Sequence, residues 1–222
     1  MEEFRNLMTL VDRVGLWCEI AGGRGPHRSA IFLDRDGVII EDTDYLGRAD
    51  DLRMIPGAAR AIARCNRLGI PIVLISNQSG IGRGFYAWKD FEAVQAALVA
   101  TLAREGAHLD AVLACAYHAD AQGPYRVADH SWRKPKPGMI WEASKRMGLD
   151  LANSWVIGDR ASDLAAGRAA ALPGGVLVTT GHGKNEQDAA LAIADERFIV
   201  KISSNLADAI EVAIALASGV QR

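Results

Sequence analysis

The chain has 222 residues, half of them hydrophobic and 23% charged, with a formal net charge of -2. That length suits one domain with a sizeable core, and so small a charge gives no electrostatic reason to expect a nucleic-acid or membrane partner. Cys18, Cys65 and Cys115 are widely spread, which argues against a disulfide framework and for a reducing, cytoplasmic setting; neither a signal peptide nor a membrane span is expected.

Residues 1–27 read as an N-terminal arm ahead of a single domain over residues 28–222. Leu7, Leu10, Val11 and Val14 recur at helical spacing and predict a short amphipathic helix, after which Gly22–Pro26 breaks the chain. The arm's sequence carries no chemistry.

The strongest signal is Ile31–Ile40. Strand-forming apolar residues run into Asp34 and Asp36, and Gly37 follows at once. A short apolar run bounded by a turn reads as a buried parallel strand, and open α/β sheets keep their ligand crevice at the carboxyl ends of such strands. Taken alone, Asp-x-Asp-Gly also reads as a solvated turn. Glu41–Leu52 is polar and acidic and reads as a loop or flap. Pro56 opens a helix over Ala58–Leu68, which Gly69 stops.

A second buried strand, Ile70–Ser76, leads into Ser76-Asn77-Gln78-Ser79-Gly80-Ile81-Gly82-Arg83-Gly84. The glycines there predict a flexible turn into a helix over Phe91–Glu105. Ala111–Tyr117 is a third strand, and the loop His118–Trp132 closes on Arg133-Lys134-Pro135-Lys136-Pro137-Gly138. Met139–Met147 is helical, and Ser154–Ile157 is a strand that meets Gly158-Asp159-Arg160-Ala161-Ser162-Asp163 before a helix over Leu164–Ala171. Strands at Gly175–Thr180 and Arg197–Ile202 and a helix over Leu206–Ala217 follow.

This alternation predicts an α/β fold: a doubly wound, mainly parallel sheet with helices on both faces. Residues just after the strands then gather on one edge, namely Asp34 with Asp36, Ser76 with Asn77, Lys134, and Asp159 with Asp163. Each has a plain structural reading as a cap, turn or surface residue. Together they suit phosphoryl transfer. Clustered acids hold Mg²⁺, a hydroxyl, an amide and a lysine surround phosphate oxygens, one carboxylate is a nucleophile and a second moves the proton.

Asp34-Arg35-Asp36-Gly37-Val38, Ser76-Asn77-Gln78, Lys134 and Gly158-Asp159-Arg160-Ala161-Ser162-Asp163 resemble the four motifs of the haloacid dehalogenase-like (HAD) hydrolases. Within that superfamily the chain is similar to the branch of the heptose-1,7-bisphosphate and histidinol-phosphate phosphatases. The resemblance implies a Rossmann-like core and a Mg²⁺-dependent phosphatase acting on a small phosphate ester through an aspartyl-phosphate. A sugar bisphosphate is the first choice, and histidinol phosphate or another sugar phosphate the alternative. It further implies Asp34 as nucleophile and metal ligand, Asp36 as general acid/base whose carbonyl reaches the metal, and Asp159 as the remaining ligand. Ser76, Asn77, Arg133, Lys134 and Arg160 would bind substrate, with Asp163 in support. The short interval between Asp36 and Pro56 leaves no room for a large cap domain. A non-catalytic phospho-ligand-binding member of the fold is the competing reading. A nucleotide-binding module fits less well, because Gly80–Gly84 matches neither the dinucleotide spacing nor a Gly-Lys-Ser/Thr loop.

Many members of that branch hold a structural zinc before the Arg-Lys pair through Cys-x-His and Cys-x-Cys. The corresponding positions here hold Cys115, Tyr117, His130 and Trp132, and only Cys115 keeps its type. Structural zinc takes four protein ligands, so even with His118 and His130 nearby no zinc is expected, and the loop is expected to be held by packing of Tyr117, Tyr125 and Trp132.

Overall fold

The computed structural model describes residues 9–21 and 28–219; Leu7 and the Gly22–Pro26 breaker lie outside them. Eight strands form one sheet. In chain order they are β1 (Thr9–Leu10), β2 (Leu16–Ile20), β3 (Ile31–Leu33), β4 (Ile72–Asn77), β5 (Ala111–Cys115), β6 (Trp155–Gly158), β7 (Gly174–Val178) and β8 (Ile199–Ser203). The helices are α1 (Ala58–Arg67), the single turn α2 (Ser79–Gly82), α3 (Trp88–Arg104), α4 (Gly138–Met147), α5 (Ala161–Ala169), α6 (Gly183–Leu191) and α7 (Leu206–Gly219).

The strand order is β1-β2-β5-β4-β3-β6-β7-β8, and every pairing from β5 across to β8 is parallel. The chain winds outward from β3 to β5, then returns to lay β6 on the other side of β3. The carboxyl ends of β3 and β6 therefore flank the point where the winding reverses, the place such sheets reserve for ligands.

Strand alternation divides the core between two faces. Ile31, Leu33, Ile72, Leu74 and Ile157 pack with Ile62 of α1, Phe91 and Leu98 of α3 and Ile210 of α7. Phe32, Val73, Ile75, Leu113 and Val156 pack with Met139 and Ala143 of α4 and Leu164 of α5. Each fully buried Val, Leu, Ile or Phe contributes about 1.5–3 kcal/mol of transfer free energy. The core is thus thickest beneath the central strands, where it fixes the loops carrying Asp34 and Asp159.

Three elements depart from expectation. The helix predicted through Leu10, Val11 and Val14 is instead a β1–β2 hairpin, and β2 pairs antiparallel with β5 from Leu16↔Cys115 to Ile20↔Ala111. Leu16 and Cys18 face one core and Trp17 the other, so burial on both faces outweighs the helical spacing of the preceding residues. The helix α6 was not expected: of its nine residues only Gly183 and Ala190 are buried, too few to print an apolar stripe. Gly80–Gly82 is a buried helical turn, not a flexible one. A Cβ on Gly80 would stand 2.3 Å from the Tyr86 ring and 2.8 Å from that of Tyr45, so the glycine serves close packing.

Glu41–Leu52 is irregular apart from a short 3-10 turn at Ala49–Asp51. Its roots are tied together by the Glu41 amide bonded to Arg53 O at 2.9 Å and the Ile55 amide bonded to Ile39 O at 3.0 Å. Among the described residues, no second domain covers this sheet edge.

Candidate active site

The loops leaving β3, β4, β5 and β6 line a cleft of about 370 Å³. Asp34 follows directly on β3, and Lys134 reaches it from the segment before α4. Lys134 Nζ stands 2.8 Å from Asp34 Oδ1 and 2.8 Å from Asp163 Oδ1 and donates to the Ile75 carbonyl at 2.9 Å, so the ammonium sits between two carboxylates and a carbonyl in a buried setting. The Asp34, Asp159 and Asp163 carboxylates each bring an oxygen within 4.8 Å of the others.

Two of these three acids share one ammonium. Burial, outweighing the attraction of Lys134 and reinforced by Asp163 and Asp36, pushes the Asp34 carboxyl up to about 7. Burial, then Asp34 and Asp163, push Asp159 to about 8. The same acids hold Lys134 well above the ordinary lysine range against the opposing effect of burial. Asp159 Oδ2 accepts the His182 amide at 2.7 Å, whereas its buried Oδ1 has no hydrogen-bond partner. A solitary ammonium, a surplus of buried acid and an orphaned carboxylate oxygen together fit a hard divalent cation, which takes oxygen ligands.

Asp36 lies apart from this triad. Arg35 Nε reaches both its oxygens at 3.2 Å and Arg35 Nη2 reaches Oδ1 at 3.1 Å, while Gln78 Nε2 lies 3.3 Å from Oδ2. Arg35 is itself buried, its guanidinium carbon 5.4 Å from the centre of the Phe91 ring. Gln78 ties this wall together: its Nε2 donates to Ser76 Oγ at 2.7 Å, and its Oε1 accepts Tyr86 Oη at 2.6 Å and Arg35 Nη2 at 3.2 Å. Asp36 and Asp34 line the same cleft, one held by a buried arginine and the other by a buried lysine.

The remaining sequence-predicted residues divide by what their side chains touch. Arg133, Lys134 and Arg160 line the cleft. Asn77 also lines it, but its amide is occupied by the backbone of Lys134, with Oδ1 accepting the Lys134 amide at 3.0 Å and Nδ2 donating to the Lys134 carbonyl at 3.1 Å. Ser76 is buried behind Gln78 and is not part of the cleft wall. Asp163 Oδ2 accepts the Arg160 amide at 3.0 Å while its other oxygen takes Lys134, so one side chain fixes the start of α5 and the site lysine.

Several further contributors lie outside the predicted site residues. Gly37 and Gly181 both have positive φ, +77° and +53°, and a Cβ on either would fall within 2.3 Å of Asp159 Oδ2. Thr180 Oγ1 donates to the Gly37 carbonyl at 2.6 Å, closing the loop after β7 over the loop after β3. These contacts use backbone, so the residue types announce nothing. His182 carries its Nε2 to within 2.9 Å of Asp42 Oδ2, and Arg160 Nη2 lies 3.6 Å from the same oxygen, tying the Glu41–Leu52 flap to the rim. Arg83, Tyr45 and His118 complete the opposite wall, with Arg83 Nη1 on Tyr45 Oη at 2.9 Å and Nη2 3.1 Å from His118 Nε2.

The His118–Trp132 loop is held by rings. Tyr117 stacks on His130 at 4.4 Å and lies 6.4 Å from Tyr125, and Trp132 is buried. Cys115 is a buried free thiol that burial pushes up to about 12. Among the described residues, the two groups of acids, histidines or cysteines close enough to share a cation are Asp34 with Asp159 and Asp163, and Asp42 with Asp44 and His182.

The model of the HAD-hydrolase-like family matches residues 131–209. A D-glycero-beta-D-manno-heptose-1,7-bisphosphate 7-phosphatase of Mesorhizobium japonicum is 48% identical over 74% of this chain and 76% of its own length. A solved chain from Mesorhizobium loti is 39% identical, with a TM-score of 0.81 over 94% of this chain and 95% of that one. The D,D-heptose 1,7-bisphosphate phosphatase of B. bronchiseptica, solved with magnesium and phosphate, is 32% identical, with a TM-score of 0.70 over 86% of this chain and 99% of that one.

Proposed function

Because the chain belongs to the haloacid dehalogenase-like hydrolases, in the branch of the heptose-bisphosphate phosphatases, we propose that it is a Mg²⁺-dependent phosphatase of a sugar bisphosphate, heptose 1,7-bisphosphate. The observation that carries this reading is the Asp34 carboxylate, held by Lys134 at 2.8 Å beside Asp159 and Asp163 on the floor of a cleft lined by Arg83, Arg133 and Arg160.

In this reading Asp34 and Asp159 hold the metal, joined by the Asp36 carbonyl, and Asp163 holds Lys134. When bound, Mg²⁺ offsets the surplus acid charge and draws a phosphate dianion toward it. The rest is the work of the chain. Asp34 attacks phosphorus; the P–O bond to the sugar breaks as the new P–O bond to the carboxylate forms, giving an aspartyl-phosphate. Lys134 and Arg160 carry the negative charge of the transferring group, and Asn77 keeps Lys134 in register. Asp36 delivers its proton to the departing alkoxide. It then takes a proton from the water that hydrolyses the acyl phosphate, which regenerates Asp34 and releases inorganic phosphate. Ser76 acts through Gln78, and Arg133 faces the sugar. The three free thiols suit the reducing cytoplasm as the place of reaction. Among the described residues, no helix is long and apolar enough to cross a membrane.

The test is phosphate release from heptose 1,7-bisphosphate, histidinol phosphate and other sugar phosphates. The expected result is a preference for the heptose bisphosphate that disappears on exhaustive chelation and in Asp34→Asn, with the fold retained. Ligand-induced stabilisation without turnover would instead establish a binding protein.

A further inference from the structure

The loop His118–Trp132, whose first residue lines the cleft, has one short regular element, the 3-10 turn Gly123–Tyr125. Its root is anchored from outside the catalytic loops. Asp12, in the turn between β1 and β2, accepts the amides of Val14, Gly15 and Leu16 at 3.0, 3.0 and 3.1 Å through Oδ1, and takes the Tyr117 hydroxyl on Oδ2. The same turn accepts the Ala116 amide on the Gly15 carbonyl at 2.9 Å. A Cβ on Gly15 would stand 2.7 Å from the Tyr117 ring, so turn and ring are in direct contact. On the far side the Val14 carbonyl accepts Trp88 Nε1 at 2.8 Å, which fixes the turn to α3.

The anchored ring in turn sets the cleft wall. Tyr117 stacks on His130 near the far end of the loop, at 4.4 Å and 20° between planes. Its carbonyl accepts Arg133 Nη1 at 3.2 Å, and the next residue is His118, which lines the cleft beside Arg83. Arg133 and His118 therefore both take their positions from the residue whose hydroxyl Asp12 holds. Both line the cleft that holds Asp34 and Lys134, and neither is among the groups that contact the Asp34 carboxylate.

We infer that Asp12 and Tyr117 are positioning residues for the leaving-group side of the cleft, through which the β1–β2 hairpin selects esters large enough to reach Arg133 and His118. This rests on the phosphatase reading above. A phenol on a carboxylate is a charge-assisted hydrogen bond, stronger than a neutral one, and it acts at the root of a loop whose other ties are turn hydrogen bonds and ring packing. A small ester engages only the floor and does not register the loop. An ester whose leaving group reaches the wall does.

Two variants separate this from a plain loss of structure. Tyr117→Phe removes the hydroxyl and keeps the ring stack, and Asp12→Asn keeps an acceptor for the turn amides and removes the charge. For heptose 1,7-bisphosphate, KM is expected to rise roughly tenfold in either variant, with kcat within about twofold, as loss of one charged hydrogen bond predicts. For p-nitrophenyl phosphate both constants should stay within about twofold of the parent. Hydrogen exchange should show lost protection in residues 118–132 and none in β3, β4 or β6. Equal losses on both esters, or no loss on either, would overturn the inference even with the phosphatase reading intact. A parent protein that hydrolyses neither ester would remove that reading, and the inference with it.

Discussion

Lys134 Nζ stands 2.8 Å from Asp34 Oδ1, with the two side chains only 2% and 10% exposed. A buried pair of this kind is costly to break from one side, because the partner left behind keeps its desolvation penalty without its counter-charge. Here Asp163 would be stranded as well. Lys134→Met is therefore expected to lose about 3–5 kcal/mol of stability in chelator. Mg²⁺ should restore part of that loss without restoring turnover. Urea denaturation with and without Mg²⁺ measures both effects, and a variant as stable as the parent in chelator would contradict the pairing.

Asp36 is held by Arg35 and lies outside the acid triad, so its carboxylate is not grouped with the candidate metal ligands. Asp36→Asn should lower kcat by on the order of 10²–10⁴ for a sugar phosphate, whose alkoxide needs a proton. The first step should be nearly spared with p-nitrophenyl phosphate, whose leaving group departs unprotonated. Rapid-quench detection of a phosphorylated enzyme from the aryl ester and none from the sugar ester is the expected pattern. The same deficit in first-step rate with both esters would argue against Asp36 as the acid.

The raised carboxyls make the metal-free protein sensitive to alkali. Asp34 and Asp159 hold protons to about 7 and 8 when folded, against the ordinary carboxylate value when unfolded. Between these limits the folded state binds more protons than the unfolded one, so stability falls as pH rises. The slope is roughly 1.4 kcal/mol per pH unit for each carboxyl still protonated in the fold. In chelator the urea midpoint should therefore drop between pH 6 and pH 8, and Mg²⁺ should flatten that drop. Mg²⁺ binding at pH 6 should also release protons, which calorimetry in buffers of different ionisation enthalpy detects. A binding enthalpy that is the same in every buffer would count against the assignment.

Gly181→Ala tests the closure of the β7 loop over Asp159. Its Cβ would lie 2.2 Å from Asp159 Oδ2 and 2.6 Å from the Gly37 Cα, at a φ of +53°. Overpacking of this kind costs roughly 1–3 kcal/mol, and the displaced carboxylate should weaken Mg²⁺ binding as well. A magnesium titration of activity should shift to higher concentration. An unchanged titration would show that Asp159 is not held by this contact.

What the sequence discloses depends on whether a residue acts through its side chain. Asp34 and Asp159 stand at strand ends that announce themselves by unbroken apolar runs, so their meeting at the switch point follows from strand-and-helix alternation, whereas Lys134 comes from the segment before α4 and is marked by its motif. The interval Met139–Met147 was equally plain, with Met139, Ile140, Ala143 and Met147 all buried. Gly181, His182 and Thr180 act through backbone, or on backbone, and their types give no hint of it. The N-terminal hairpin was hidden differently. Leu10, Val11 and Val14 mimic a helical stripe because the turn at Asp12 interrupts two short strands at that spacing. Motif position places Asn77 and Ser76 near the site but does not reveal that their side chains meet the Lys134 backbone and Gln78.

The same hairpin also determines where the sheet ends. The strand β5, Ala-Val-Leu-Ala-Cys, is buried along its whole length and carries no charge, and without β2 its outer edge would offer a row of free amides and carbonyls. A flat apolar edge of that kind templates pairing with another chain. With the hairpin in place the sheet stops instead at the two-residue β1, too short to recruit a neighbour. Deleting the first 20 residues is thus expected to give a protein that self-associates with rising concentration, as light scattering would register.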